Sequence, residues 1–374
     1  MLDKLFWDIR QGNAIDVLKS LDKQVHCVVT SPPYYKKRRY GDSKSEVGYQ
    51  GSVDEFIASL CDIFDTVPLH DRGSVWVNLG DTRGDDSGLL LVPERFAMAM
   101  VSKGWKIADH VVWAKQVTNE DGTTLGGCMI EPAPGRLNGN SHEMLFRFVK
   151  TDSALGAWTD TCAVRIPRVK GNVESIRYLP SSLMKVVTSI TGRNLSNVWR
   201  FPMGQTRDDH YAVYSSSLCE RPIAMTCPMF VGADGFLRER IIEMVEYDEN
   251  KTNYSSPDIF GEETKSSKRA IGKYTKTKGK KRSGRCDTGR NYTPKYPKTI
   301  GWTGPDNAEY GPGVVLDPFS GTGSTGQAAL LLGRNYIGID LYEKFVSRSI
   351  DSCESTLRYI KRHELNPFKG NENG

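Results

Sequence analysis

The sequence predicts an α/β fold built on a mostly parallel sheet, and three observations carry that expectation. Helix-like and strand-like segments alternate through the first 150 residues, the pattern of a sheet covered on both faces. Residues 312–340, "PGVVLDPFSGTGSTGQAALLLGRNYIGID", read as strand, Gly-rich turn, helix and strand. The run "HCVVT" (26–30) is apolar enough for a buried strand, yet it stops on Ser31-Pro32-Pro33-Tyr34-Tyr35. Two prolines end a ladder abruptly, because proline has no N–H and a fixed φ.

The elements follow in order. Residues 14–22 have the spacing of a short helix, and 26–30 form the buried strand. "VDEFIASLCDIFDTV" (53–67) is helical, and "GSVWVNLGD" (73–81) is a strand that ends in polar residues. "LLLVPERFAMAMVSKG" (89–104) is a helix closed by Gly104, while "WKIADHVVWAK" and "SHEMLFRFVK" are further strands. The pattern loosens from about residue 151, turns irregular and polar over 231–311, and regains order from 312. No internal repeat is visible.

The 374 residues suffice for two or three domains, or for one catalytic domain with insertions. No apolar run approaches membrane-spanning length, and the first residues lack the apolar stretch of a signal peptide. The eight cysteines are scattered without a CxxC pair, which suits reduced thiols in a cytoplasm. A zinc site from Cys219, Cys227 and Cys286 has poor spacing, and neither HExxH nor a P-loop occurs. The net charge of +5 hides an asymmetry. Residues 265–298 hold thirteen Lys or Arg against one Asp, a net +12 that leaves −7 for the rest. A basic segment rich in Gly, Ser, Thr and Tyr is what a polyanion-binding arm looks like, or a solvated insertion balanced by the acidic stretch 234–263.

In "VVLDPFSGTGSTG", glycines at 321, 323 and 326 let a ligand approach the backbone at a helix N-terminus. Asp340 ends the next strand, where a carboxylate can accept from ribose hydroxyls. The pattern also fits a dinucleotide fingerprint, which would suit an NAD-dependent oxidoreductase. Asp317 discriminates, because a carboxylate at that strand end repels pyrophosphate but suits the ammonium of an amino acid. A ligand carrying ribose at one end and an amino acid at the other is S-adenosylmethionine (AdoMet).

With TSPPYY and DPFSGTGSTG both present, the chain resembles the β group of amino-methylating DNA methyltransferases, which methylate N4 of cytosine or N6 of adenine. "QGNAIDVLKSL", "GSVWVNLGD", "GWKIADHVVWAKQ", "NSHEMLFRFVK", "RNLSNVWRFP" and "HYAVYSSSLCERPIAMTCP" are similar to the family's other segments, and together these cover about half the chain. The resemblance implies a Rossmann-like AdoMet-dependent methyltransferase fold in permuted motif order, with seven strands, one antiparallel, plus target-recognition insertions. It implies catalytic parts at 1–150, a methionine-side segment at 200–230 and an AdoMet-binding part at 312–374. Residues 151–199 are the candidate target-recognition region, and 231–311 the basic insertion and candidate DNA-binding arm.

The site residues follow from the same resemblance. Ser31 and the Pro32 carbonyl would accept from the target amino group, with Pro33 stiffening the turn and Tyr34 stacking on a flipped base. Asp317, Phe319, Gly321, Gly323, Asp340, Asn13, Ser215 and Ser217 would hold AdoMet; Asn13 stands where the family usually has Asp. Tyr35, Asp81, Lys280, Lys281, Arg282 and Arg285 are candidates for substrate or DNA contact. Tyr35 reads equally as structural, and Asp81 and Asn78 either line the pocket or cap a turn. His142 and Glu143 lack a triad partner and read as strand-end structural or DNA-contacting residues. Metal is not required, and a cytosine-C5 mechanism fails because the only Cys–Pro neighbours run Cys227-Pro228.

Ser at the first position of the tetrapeptide points to cytosine N4, with adenine N6 the alternative. RNA or protein amines, and a DNA-binding protein without activity, are the remaining readings. The implied partner is double-stranded DNA, and a separate cognate restriction endonuclease is compatible with it. The sequence leaves monomer and homodimer open, and it points to a cytoplasmic protein of prokaryotic or viral origin.

Overall fold

The computed structural model describes residues 5–43, 45–118, 124–126, 141–164, 197–202, 216–246, 295–305, 308–363 and 365. Their main sheet is assembled from β1 (Trp7–Gln11), β2 (Val25–Thr30), β3 (Leu69–Leu79), β4 (Lys106–Thr118), β5 (Thr124–Gly126), β6 (His142–Val149), β7 (Val198–Pro202), β12 (Val314–Asp317) and β13 (Asn335–Asp340). The order is β1-β13-β12-β2-β3-β6-β4-β5, and β7 joins β4. From β1 to β3 every pairing is parallel, whereas β6 runs antiparallel to both β3 and β4. The seven strands from β1 to β4 therefore form the expected sheet with one reversed strand, and β5 and β7 extend it. The expected boundary at residue 199 falls inside β7, whose pairing with β4 makes Val198–Pro202 part of the catalytic sheet.

Both faces of the sheet are covered. On one lie α1 (Ala14–Lys19), α2 (Val53–Thr66) and α3 (Val92–Ser102), whose Leu18, Phe56, Phe64 and Phe96 pack on Val28, Val75, Phe148 and Leu316. On the other lie α4 (Ser216–Thr226), α5 (Ser324–Leu331) and α6 (Glu343–Arg362), packed on Cys27, Val29, Trp76 and Val315. Strands β2 and β12 are buried at every position, as strands with both faces covered must be, and so read as unbroken apolar runs. Helix α6 buries Phe345, Ser349, Cys353, Thr356 and Ile360, a stripe at helical spacing.

Two small sheets stand beside the main one: β9 (Arg240–Glu246) with β10 (Lys295–Trp302), and β8 (Val231–Gly232) with β11 (Tyr310–Gly311). The first is antiparallel and pairs Glu246 with Lys295, the residues that flank the segment 247–294 in the sequence.

Candidate active site

Parallel strands present their carboxyl ends on one edge, and there the two sequence motifs meet although about 280 residues separate them. A cavity of ≈ 660 Å³ opens at that edge, lined by Asn13, Ser31, Pro33, Phe319, Gly321 and Asp340 among others. Asn13 caps α1, its Oδ1 accepting from the Ile15 amide at 3.0 Å. Glu46 also lines the cavity and accepts from the Tyr40 amide (2.8 Å) and the Tyr342 hydroxyl (2.6 Å). Lys344 Nζ adds a bond to the Tyr40 carbonyl at 2.7 Å.

The glycine turn behaves as its residues require. Gly321 has φ +53°, and a Cβ there would meet nothing closer than the Phe319 carbonyl at 3.9 Å, so the missing side chain leaves an open cradle. The Gly321 amide donates to Asp340 Oδ2 (2.9 Å), and the Tyr342 amide to Oδ1 (3.0 Å). Burial nevertheless pushes Asp340 up to about 6, with Asp317 adding to the rise and the amide bonds opposing it. Gly323, at φ +85°, starts α5, and a Cβ would lie 2.8 Å from Ser349 Oγ. That glycine serves the packing of α5 on α6.

Asp317 differs from the expectation. Its carboxylate is fully buried, accepting from Thr30 Oγ1 at 2.6 Å, Thr325 Oγ1 at 2.7 Å and the Phe319 amide at 3.0 Å. An ammonium ligand needs an accessible oxygen, so Asp317 is instead a strut that ties the end of β2 to the start of α5. Tyr35 is likewise corrected: it is buried in the core, 5.6 Å from the Phe56 ring. Asp81 accepts from the Thr82, Leu91 and Val92 amides at 2.8–3.2 Å, which makes it the cap of the turn into α3 rather than a pocket residue. Ser217 falls in α4, while Ser215, Lys280, Lys281, Arg282, Arg285 and Cys286 lie outside the described residues. Cys219 and Cys227 are buried in the apolar layer between α4 and the sheet.

Glu143 is the residue that sequence reasoning undervalued. The register Asn78↔Leu145 and Trp113↔Glu143 puts Asn78, Glu143 and Lys115 on one face, because side chains alternate with period two. Since β6 is reversed, its first residues lie at the same edge as the carboxyl ends of its neighbours. Glu143 Oε2 there accepts from the Tyr34 hydroxyl and from Asn78 Nδ2, each at 2.6 Å, and Oε1 lies 2.6 Å from Lys115 Nζ. Asn78 Nδ2 also reaches the Tyr34 hydroxyl (3.0 Å) and Ser31 Oγ (3.4 Å), and Ser31 Oγ lies 3.3 Å from the Tyr34 hydroxyl. Burial, then the Glu143 charge, hold the Tyr34 phenol well above its usual range, so it remains protonated. The signal was the sheet register, which no local motif displays.

The family model of DNA methylases (N6_N4_Mtase) matches residues 25–351. Type II methyltransferase M.XycI of Xanthomonas campestris pv. cyanopsidis is 26% identical over 273 residues, 64% of this chain and 80% of that protein. Type II methyltransferase M.SmaI of Serratia marcescens is 26% identical over 238 residues, 55% of this chain and 70% of that one. Among solved structures, the PvuII DNA methyltransferase (cytosine-N4-specific) aligns with a TM-score of 0.49 and 14% identity, covering 97% of this chain and 93% of that chain.

Proposed function

We propose, for a chain that belongs to the DNA methylase family, that it transfers a methyl group from AdoMet to N4 of a cytosine flipped out of duplex DNA. The observation that carries this reading is the opening of Ser31 and Asp340 into one cavity, a hydroxyl acceptor and a ribose-binding carboxylate on the same sheet edge.

The donor set fits AdoMet. Asp340, buried and raised toward neutrality, is stabilised as a carboxylate by hydroxyl donors such as those of a ribose. The open space at Gly321 lets the ligand lie against the backbone, and Asn13 and Phe319 supply a polar and an apolar wall. Bound there, AdoMet supplies an activated sulfonium methyl.

The chain's own residues do the rest. An exocyclic amino nitrogen is a poor nucleophile because its lone pair is delocalised into the ring. Ser31 Oγ and the Pro32 carbonyl accept its N–H groups and turn the lone pair toward the methyl carbon. Pro32 and Pro33 stiffen the turn, so little reorganisation accompanies the reaction. The Tyr34 ring, held by its hydroxyl and by its close approach to Gly80, is a fixed platform for the extruded base. The basic segment 265–298 supplies phosphate contacts to the duplex.

The test is incubation with labelled AdoMet and duplex DNA, then mass spectrometry of the nucleosides. N4-methylcytosine is expected. N6-methyladenine as the sole product refutes the base assignment, and no methylated base refutes the whole reading. Ser31→Ala should abolish transfer while AdoMet still binds.

A further inference from the structure

We infer that Glu143, held by Lys115, is a positioning residue that locks the Ser31 hydroxyl as a hydrogen-bond acceptor toward the target amino group. The inference rests on the amino-methylation reading and deepens it. It follows from counting hydrogens around Tyr34.

A carboxylate only accepts, and a phenol has one proton to give. At 2.6 Å from Glu143 Oε2, the Tyr34 hydroxyl gives that proton to Glu143. The Ser31–Tyr34 contact at 3.3 Å then has one polarity left, with Ser31 donating and Tyr34 accepting. Asn78 is constrained by the same charge. Turning its amide over would press a carbonyl oxygen against Glu143 Oε2 at 2.6 Å, so the NH₂ faces the carboxylate. It therefore supplies only donors to Tyr34 and Ser31.

Ser31 is left with its hydrogen turned inward and lone pairs for the substrate. The amino group of a base offers N–H donors, and a hydroxyl free to rotate would at times point its own hydrogen at them. Locking the rotor removes that orientation before the substrate arrives, which is preorganisation at the reacting centre. Lys115 has a structural reason to be there. Glu143 and Lys115 side chains are only 10% and 14% exposed, and a carboxylate this deep needs a countercharge. Glu143 acts on the substrate through Ser31, directly by way of Tyr34 and secondarily by way of Asn78.

Glu143→Gln tests the idea, because the isosteric amide can itself donate to Tyr34 and release the polarity of Ser31. In steady-state methylation of duplex DNA, kcat should fall about 10²-fold, the loss typical of one misdirected hydrogen bond at a reacting centre. KM for DNA and the AdoMet Kd should stay within about threefold even though stranding Lys115 lowers the melting temperature, a split that general loss of structure would not produce. Tyr34→Phe, which cuts the link, should lower kcat about tenfold, and Tyr34→Phe with Glu143→Gln should be no worse than about threefold below Tyr34→Phe alone. Wild-type kcat in Glu143→Gln overturns the inference, as do losses that multiply in the double variant. If Glu143→Gln does not fold, Tyr34→Phe decides alone, and wild-type kcat there overturns it. A wild-type enzyme that leaves DNA unmethylated refutes the underlying reading, whereas an active wild type with an equally active Glu143→Gln refutes only this step.

Discussion

If Asp317 is a strut, its energetic partner is Thr30, and a mutant cycle measures the pair. Asp317→Ala removes the acceptor from Thr30 Oγ1, which is buried, and from the Phe319 amide, which is part-buried beside the cavity. Thr325 loses a bond too, but its hydroxyl can turn to the Val29 carbonyl at 3.3 Å. One buried donor is thus stranded and the Phe319 amide loses a charged acceptor, at about 1–3 kcal/mol each, partly offset by no longer burying a charge. A net loss of about 3 kcal/mol is expected. Thr30→Val is nearly isosteric and removes only the 2.6 Å bond, which as a bond to a charged group contributes about 1.5–3 kcal/mol. In Asp317→Ala that bond is already absent, so the double variant should be less unstable than the sum by about the same 1.5–3 kcal/mol. Urea unfolding of the four proteins at constant slope gives each value. Additivity within about 0.5 kcal/mol would refute the strut. So would an Asp317→Ala protein of wild-type stability that has lost AdoMet affinity, since that result restores the ammonium contact.

Three further outcomes are expected. Asp340 sits at about 6 in the folded protein against an ordinary 3.8, so folding favours its protonated form relative to the unfolded chain while the carboxylate still predominates near neutrality. The stability this contributes is full below the unfolded value and lost as pH rises through about 6, whereas ribose donors favour the charged form. AdoMet affinity measured by calorimetry should therefore fall as pH drops through about 6. Asp340→Asn should weaken binding about tenfold near neutrality and flatten that dependence; a wild-type pH profile in the variant would contradict it. Gly323→Ala places a Cβ 2.8 Å from Ser349 Oγ and 3.0 Å from its Cα at φ +85°, so the unfolding free energy measured in urea should drop by more than the roughly 1–2 kcal/mol of a left-handed residue alone. Deleting residues 265–294 should weaken DNA binding and shrink the salt slope by about 0.9 for each phosphate contact removed; an unchanged slope makes the segment a passive insertion.

What was legible in the sequence was whatever a single segment encodes. The all-buried strands β2 and β12 read directly from their apolar runs, and the Gly-rich turn announced itself by composition. Edge strand β1 was missed because its alternation of Trp7 and Ile9 with Asp8 and Arg10 spans only five residues; as an edge with half-buried residues it has little burial to display. Asp317 was placed at the right strand end but assigned to the wrong partner, since position along a strand does not say whether a carboxylate faces a cavity or two neighbouring hydroxyls. Glu143 was set aside for want of a local partner, while its partners came from the β2 turn, β3 and β4.

The permuted order explains why so much of the site depends on register. A sheet is indifferent to chain order provided that each strand arrives in its slot, and here β12 and β13 from the C-terminal region lie between β1 and β2. Parallel strands then bring Gln11, Thr30, Asp317 and Asp340 to one edge whatever the connectivity. The reversed strand adds something the parallel ones cannot. Its first residues reach that edge pointing the other way along the chain, and they carry Glu143 to the Ser31–Tyr34 turn. The same logic accommodates the long insertion. Residues 247–294 leave from Glu246 and return to Lys295, which face each other across β9 and β10 at roughly 4.5–5.5 Å between Cα atoms. The two ends of that segment are thus joined by their own ladder, on strands separate from the sheet edge where Ser31 and Asp340 meet.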